Sequence, residues 1–278
     1  MSFEMAAVGL ALLSALSWGA GDFSGGLAAR KLSPYRVALL VQITGFSFFV
    51  LMALGRGENL YPSDLPWSLA AGAAGCLGLV FLYRAFQAGQ MGLAAPVAGV
   101  VGASLAALVG VFLEGTPAPV QLWGFGVGLL GVWLASQSGE FGRRSLGLGY
   151  AALAGLGFGG YFVLIDRVEG LFWPSAFAKL TAAVLVLGWA LRAFPGPRQE
   201  LGRYLPLLIL AGLLDAGGNV FFLAAAQAGR LDVAAVLSSL YPAFTAVLAW
   251  ALLRERLRPG QNLGVLLSLV AIALIAAG

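Results

Sequence analysis

Phe81 to Ser136 reads FLYRAFQAGQMGLAAPVAGVV…QLWGFGVGLLGVWLAS, and Phe221 to Ala276 reads FFLAAAQAGRLDVAAVLSSLY…QNLGVLLSLVAIALIA. The second stretch begins 140 residues after the first, and at that offset they align without gaps. Gln87 falls on Gln227, Gly89 on Gly229, Pro119 on Pro259, Gln121 on Gln261 and Gly124 on Gly264. Outside the stretch, Gly19/Gly159, Pro34/Pro174, Pro66/Pro206 and Gly72/Gly212 keep the same register. An apolar composition gives chance matches among Leu and Ala. It does not give prolines and glutamines in step. The chain is read as a tandem duplication, with one unit over 1–140 and the other over 141–278.

The composition says what surrounds it. Hydrophobic residues make up 60%, charged residues 10%, and the mean hydropathy is +0.91. A soluble domain of this length has no use for so much apolar surface, so the solvent is lipid. Forty glycines fit, because small residues let membrane helices approach closely. The net charge of +4 is no nucleic-acid signal, since the cations sit singly or in pairs at the ends of apolar runs. With no histidine and one cysteine, Cys76, a His- or Cys-based metal site, a disulfide and a Ser/His/Asp triad are all excluded. No cofactor is implied. No basic leader or small-residue cleavage pattern marks the first apolar run, which is read as a retained helix.

A spanning helix needs about 20 mostly apolar residues. Ten segments qualify: 4–28, 34–54, 65–87, 93–113, 119–137, 146–165, 174–193, 205–227, 233–253 and 261–277. The expected fold is therefore an all-α membrane protein of ten transmembrane helices. Five helices per unit is an odd number, so the second unit lies upside down relative to the first. Inverted five-helix repeats are the geometry from which alternating access follows.

Twelve of the 16 Lys and Arg fall in the loops after helices 1, 3, 5, 7 and 9: Arg30, Lys31, Arg36, Arg84, Arg143, Arg144, Arg192, Arg198, Arg203, Arg254, Arg256 and Arg258. The other side carries Arg56, Arg167 and Arg230, and Lys179 lies inside helix 7. The positive-inside rule puts the twelve in the cytoplasm and both termini outside. The expected location is a prokaryotic inner membrane, as an integral multi-pass protein.

Two stretches carry a resemblance. Ser17 to Lys31, SWGAGDFSGGLAARK, is similar to the first-helix W-G signature of the drug/metabolite transporter superfamily, EamA type. Ser239 to Gly264, SLYPAFTAVLAWALLRERLRPGQNLG, resembles that family's P…-lxE-R-l…-Q-x-x-G signature. The first copy keeps a degraded form, with Glu114, Gln121 and Gly124. The resemblance implies ten helices in two inverted repeats around a central cavity, and movement of small metabolites, amino acids or drugs, often as export. Many ten-helix relatives keep both termini in the cytoplasm, whereas this charge pattern points the other way.

Charge inside a bilayer is costly, so each such residue is a functional hypothesis. Asp215 lies near the middle of helix 8, and Asn219 follows one turn later on the same face. Their counterparts are Gly75 and Leu79, so the scaffold does not demand polarity there. Asp22 follows Trp18 by one turn on helix 1. Its alternative is a salt bridge to a cation at the cytoplasmic end. Small multidrug-resistance relatives carry a first-helix carboxylate, but it aligns about a turn away, so its role is not transferred to Asp22. Lys179 is expected to snorkel outward, or to pair with Asp166 or Glu169. Arg84 is expected to anchor the cytoplasmic face. Gln42, Thr44, Ser47, Tyr83, Gln87, Ser238 and Ser239 are read as helix-packing groups. Pro96 and Pro242, placed inside helices 4 and 9, are expected to bend them.

The substrate contacts expected from this reading are Asp215, Asn219, Asp22 and Trp18, with Tyr161 and Tyr241 as wall residues. The expected function is secondary transport, as an exporter, of a small polar or amphipathic metabolite such as an amino acid by alternating access; no Walker motif occurs, so ATP is not the direct energy source. Asp22 or Asp215 is the candidate for proton coupling. One alternative is export of lipophilic cations or drugs held by aromatics and one carboxylate. Another is a membrane accessory protein without transport. No nucleophile–base pair supports an enzyme. A repeat fused in one chain makes a monomer the default.

Overall fold

The computed structural model describes residues 3–89, 91–114, 118–136, 143–192, 198–228, 237–238 and 240–276. Ten long helices occupy them: α1 (Phe3–Ala29), α2 (Pro34–Arg56), α3 (Asp64–Ala88), α4 (Met91–Glu114), α5 (Pro119–Ser136), α6 (Arg143–Ile165), α7 (Phe172–Arg192), α8 (Arg198–Ala228), α9 (Tyr241–Leu253) and α10 (Pro259–Ala276). Six of them (α1, α2, α3, α6, α7 and α8) are long and apolar enough to cross a bilayer. Apolar side chains cover the outside, where Leu51, Trp123 and Leu129 are each at least 70% exposed. That is the pattern of a protein whose solvent is hydrocarbon.

Two boundaries differ from the sequence reading. Helix α8 begins at Arg198, so Pro206 lies inside it. Helix α9 begins at Tyr241, so Pro242 stands in its first turn and not in its interior. There its missing N–H breaks no hydrogen bond, and its fixed φ suits a helix start. Pro96 is inside α4 as expected. Ser239, Arg230 and the first part of the ninth predicted segment, 233–236, lie outside the described residues.

The helices pack in antiparallel pairs: α1 with α8, α3 with α6, α2 with α7, and α5 with α10. These pairings map onto each other under the 140-residue offset. A Cβ on Gly78 would meet the Phe158 ring at 2.6 Å, and one on Gly218 would meet the Trp18 ring at 2.5 Å. Gly78 and Gly218 are counterparts, and so are Phe158 and Trp18. Glycine is required here because the backbones approach so closely. A Cβ on Gly157 would lie 2.4 Å from the amide nitrogen of Gly78. Hydroxyls reinforce the α1–α8 joint. Ser14 donates to the Gly218 carbonyl at 2.8 Å, and Ser17 to the Leu214 carbonyl at 2.7 Å.

One pairing departs from the symmetry. Gly212 of α8 packs against the Val41 carbonyl and Thr44 of α2. Its counterpart Gly72 packs against the Ala178 carbonyl and Thr181 of α7. Exact symmetry would place Thr181 and Val184 there. Helix α7 is thus slipped by three residues on α3, about 4.5 Å at the helical rise.

The two ends of the bundle are held differently. At the end where α1 finishes, Arg254 takes the left-handed conformation (φ 54°) that stops α9 and delivers Glu255. Glu255 pairs with Arg30 and accepts from the backbone amides of Met91 (3.3 Å) and Gly92 (3.1 Å), which open α4. A carboxylate there meets the orphan N–H groups and the positive end of the helix dipole. At the opposite end, Gly57 (φ 61°) caps α2 in the left-handed region and turns the chain toward α7. Glu58 then accepts from the amides of Leu171, Phe172 and Trp173 at 2.6–3.0 Å. Asp64 accepts from Glu169 (3.0 Å) and Gly170 (2.9 Å). Glu58 and Asp64 strap the α2–α3 connection onto the start of α7.

Candidate functional site

A cavity of about 620 Å³ reaches from the α6–α7 connection, with Asp166, Val168, Gly170 and Leu171 in its lining, towards the middle of the bundle. Its wall is largely apolar, with Phe158, Phe162, Phe222, Leu223, Ile272 and Ile275. It continues into a recess of about 90 Å³ through shared residues Trp18, Phe158, Tyr161, Phe162, Asn219 and Tyr241. Beyond the recess, towards the Glu255 end, the core is closed. Tyr83, Phe86 and Met91 are each at most 1% exposed. The Tyr83 hydroxyl and the Phe86 ring fill the space over Gly25 and Gly26, where a Cβ would lie 2.1 and 2.3 Å from them.

The recess lies on the internal two-fold relation. Its lining includes Trp18 with its counterpart Phe158, Asp22 with Phe162, Gln42 with Ala182, Asp215 with Gly75, and Asn219 with Leu79. In each couple one member carries a polar group and the other does not. A further exchange occurs between Gly21, which packs on the Asp215 amide, and its counterpart Tyr161, which packs on Gly75. The small residue and the large one have traded places between the halves.

All six residues singled out from the sequence line this recess: Trp18, Asp22, Tyr161, Asp215, Asn219 and Tyr241. Trp18 Nε1–H donates to the Asp215 backbone carbonyl at 3.1 Å, and Asn219 Nδ2–H donates to the same oxygen at 2.8 Å. Both therefore brace the turn that carries Asp215 while facing the cavity. The Trp18 and Tyr241 rings meet edge to face with centroids 6.1 Å apart.

Lys179 requires a correction. It neither snorkels outward nor pairs with Asp166 or Glu169. It pairs with Asp215, and its stem lies against Gly45. The depth follows from α7 packing along α2, which turns this face of α7 inward. Asp22 is also placed differently from its salt-bridge alternative. The cation at the end of α1, Arg30, is engaged by Glu255, and Asp22 makes no ion pair among the described residues. Arg84 spreads its guanidinium over the rings of Tyr35 (5.2 Å) and Tyr150 (5.5 Å).

Sequence reasoning passed over two kinds of residue. Gln42 was grouped with the packing polars, yet it lines the recess, is 4% exposed, and its Oε1 has no hydrogen-bond partner among the described residues. The signal available was its counterpart, Ala182, the same asymmetry that marks Asp215. Glu58 and Asp64 gave no signal, since their partners lie more than 100 residues away.

A model of the EamA-like transporter family matches residues 5–137 and again 145–277. The chain belongs to that family and is a membrane transporter of small molecules by membership. Among solved structures, a crystal structure described only as that of a protein superposes with a TM-score of 0.64 at 20% identity. The match covers 96% of this chain and 95% of that one, and it shows a shared fold. No curated protein matches the chain.

Proposed function

We propose that the protein is a secondary transporter that moves a small amphipathic metabolite, such as an amino acid, by alternating access. The observation that carries this reading is the cavity. It extends to the α6–α7 end, the core towards the Glu255 end is packed, and its inner recess is lined by Asp22, Asp215 and Lys179. A charged floor under an apolar vestibule suits a molecule with a polar head and an apolar body. The three-residue slip of α7 on α3 supports the cycle. Two inverted units, 1–140 and 141–278, would open the other end by exchanging the two registers. The charge distribution favours an outward-open state with cytoplasmic closure, and export with proton return through Asp22 or Asp215. The working unit is a monomer in a prokaryotic inner membrane. Lipophilic cations are the second reading, favoured by Trp18, Tyr161 and Tyr241 around the carboxylates.

The test is counterflow in proteoliposomes loaded in turn with amino acids, amines and cationic drugs. Exchange of at least one class, lost in Asp22→Asn or Asp215→Asn, is expected. Leakless vesicles that exchange none of them would refute transport of this class. A proton-coupled cycle further requires that one of these variants keep counterflow while losing flux driven by a pH gradient.

A further inference from the structure

Away from the recess, Arg84 holds its guanidinium over the rings of Tyr35 and Tyr150, 5.2 and 5.5 Å from their centroids. Tyr35 leans on Trp189 and Tyr150 stacks on Phe81, with centroids 6.0 Å apart in both pairs. Helices α2, α3, α6 and α7 thus meet in one cluster. Helical spacing puts it on the lipid side. Leu77 lies two turns before Arg84 on α3, and Leu185 one turn before Trp189 on α7. Leu146 and Leu153 flank Tyr150 on the same face of α6. All four leucines are exposed, and so is Trp189. The cluster is also shallow. Tyr35 is the second residue of α2, Trp189 lies just before the end of α7 at Arg192, and Arg84 one turn before the end of α3 at Ala88. At the helical rise these three lie within about 6 Å of their helix ends, the level of lipid headgroups.

A ring over the face of a guanidinium takes none of its N–H donors, which lie in the plane. Among the described residues no carboxylate pairs with Arg84. A cation on a lipid-facing stripe is costly without an anion, and the anion that lipid offers at this depth is a phosphodiester. We infer that Arg84, with Tyr35 and Tyr150, forms a seat for the phosphate of an anionic phospholipid in the leaflet at the cation-rich end. The rings fix the plane of the guanidinium, and two of its N–H groups meet two phosphate oxygens in a fork that a lysine cannot make. A net-negative lipid is favoured over a zwitterionic one because the neighbouring charges are positive. Lys31, four residues before Tyr35, is exposed, and Arg143 and Arg144 open α6. They repel a headgroup ammonium and attract a second negative charge. The acyl chains run along Leu77, Leu153 and Leu185. The seat belongs to one leaflet only, since the repeat places Ala224, Ser175 and Leu10 at the positions that match Arg84, Tyr35 and Tyr150. It is independent of the transport reading, because it lies on the outside of the bundle.

The experiment offers the purified full chain an equimolar mixture of dioleoyl phosphatidylglycerol and dioleoyl phosphatidylcholine in a neutral detergent, and reads the retained lipid by native mass spectrometry. The wild type is expected to retain phosphatidylglycerol over phosphatidylcholine by at least about tenfold, the scale of one charge-assisted hydrogen-bonded contact. Arg84→Met is expected to bring the two within about twofold, and Arg84→Lys to lose most of the preference although it keeps the charge. Lys31→Met is expected to change the ratio by less than about twofold, as a solvated charge beside the seat should. A wild-type ratio near one overturns the inference and needs no variant to fold. So does an unchanged ratio in Arg84→Met, or a wild-type ratio in Arg84→Lys. A loss in Lys31→Met as large as in Arg84→Met also overturns it, by reducing the preference to the general positive field of that end. Release of the retained phosphatidylglycerol by excess inorganic phosphate would make this a site for free anions and remove the lipid.

Discussion

Replacing Lys179 by Met tests whether the ion pair at the cavity floor is a structural unit. The variant keeps the stem that lies against Gly45 and removes the charge. Asp215 then faces Asp22 across the recess with no cation between them. Breaking a fully buried pair by removing one partner costs about 3–5 kcal/mol. The side chains here are 13% and 27% exposed, towards a cavity that admits water, so screening reduces the figure to about 2 kcal/mol. Removing both charges in Lys179→Met/Asp215→Asn leaves no carboxylate uncompensated at that point. The Asp215 backbone carbonyl still accepts from Trp18 and Asn219, so the α1–α8 joint survives. Asp215→Asn alone leaves Lys179 unpaired and is expected to cost a similar amount, whereas the double variant is expected within about 1 kcal/mol of the wild type, well short of the sum of the two single variants. Reversible unfolding in mixed micelles, with the denaturant slope held constant across the four proteins, measures it. A double variant as unstable as Lys179→Met alone would refute the reasoning, as would a Lys179→Met of wild-type stability.

Three further outcomes are expected. Glu255→Gln loses its pairing with Arg30 and the charge that caps α4, weakening the closed end by about 1–2 kcal/mol. In a Cys76→Ser background, maleimide labelling of Ala29→Cys should then accelerate several-fold, and an unchanged rate counts against Glu255 as a fastening. Glu58→Gln weakens the carboxylate that receives three amides at the start of α7, lowering stability by about 1 kcal/mol, read as an earlier unfolding midpoint. Gly157→Ala would set a Cβ 2.4 Å from the Gly78 nitrogen and should abolish the α3–α6 contact and folded yield. Gly149→Ala meets nothing within 4 Å and should match or exceed wild type by up to about 1 kcal/mol.

The fold was legible because the punctuation of the chain repeats. Pro34/Pro174 locate helix starts and Gly72/Gly212 close contacts in both halves, while Pro66 marks the first turn of α3 and its counterpart Pro206 lies inside α8. The site was legible where one half carries polarity that the other lacks, as at Asp215 and Asn219 against Gly75 and Leu79. The same comparison applied to Gln42 and Ala182 points to Gln42. Lys179 was misplaced because distance along a helix from its loop says nothing about which neighbour that face meets. Only the packing of α7 between α2 and α3 turns it to Asp215. Pro242 was misplaced because an apolar run gives no stop signal between 233 and Tyr241. Glu58 and Glu255 hold helix starts far away in sequence, and such long-range caps leave no local pattern.

The couples that line the recess have a bearing on ancestry. Had each half been a separate chain pairing with its twin, every residue would appear twice around the axis. A twin of the second half would present two copies of Asp215 and two of Lys179, and a twin of the first would present two of Asp22. Any ligand in such a box would meet the same wall from both sides and gain nothing by facing one way. Joining the halves in one polypeptide let each drop what the other kept: Asp22 stands opposite Phe162, and Asp215 opposite Gly75. The pocket thereby acquired a handedness, and a bound molecule acquired a head end and a tail end.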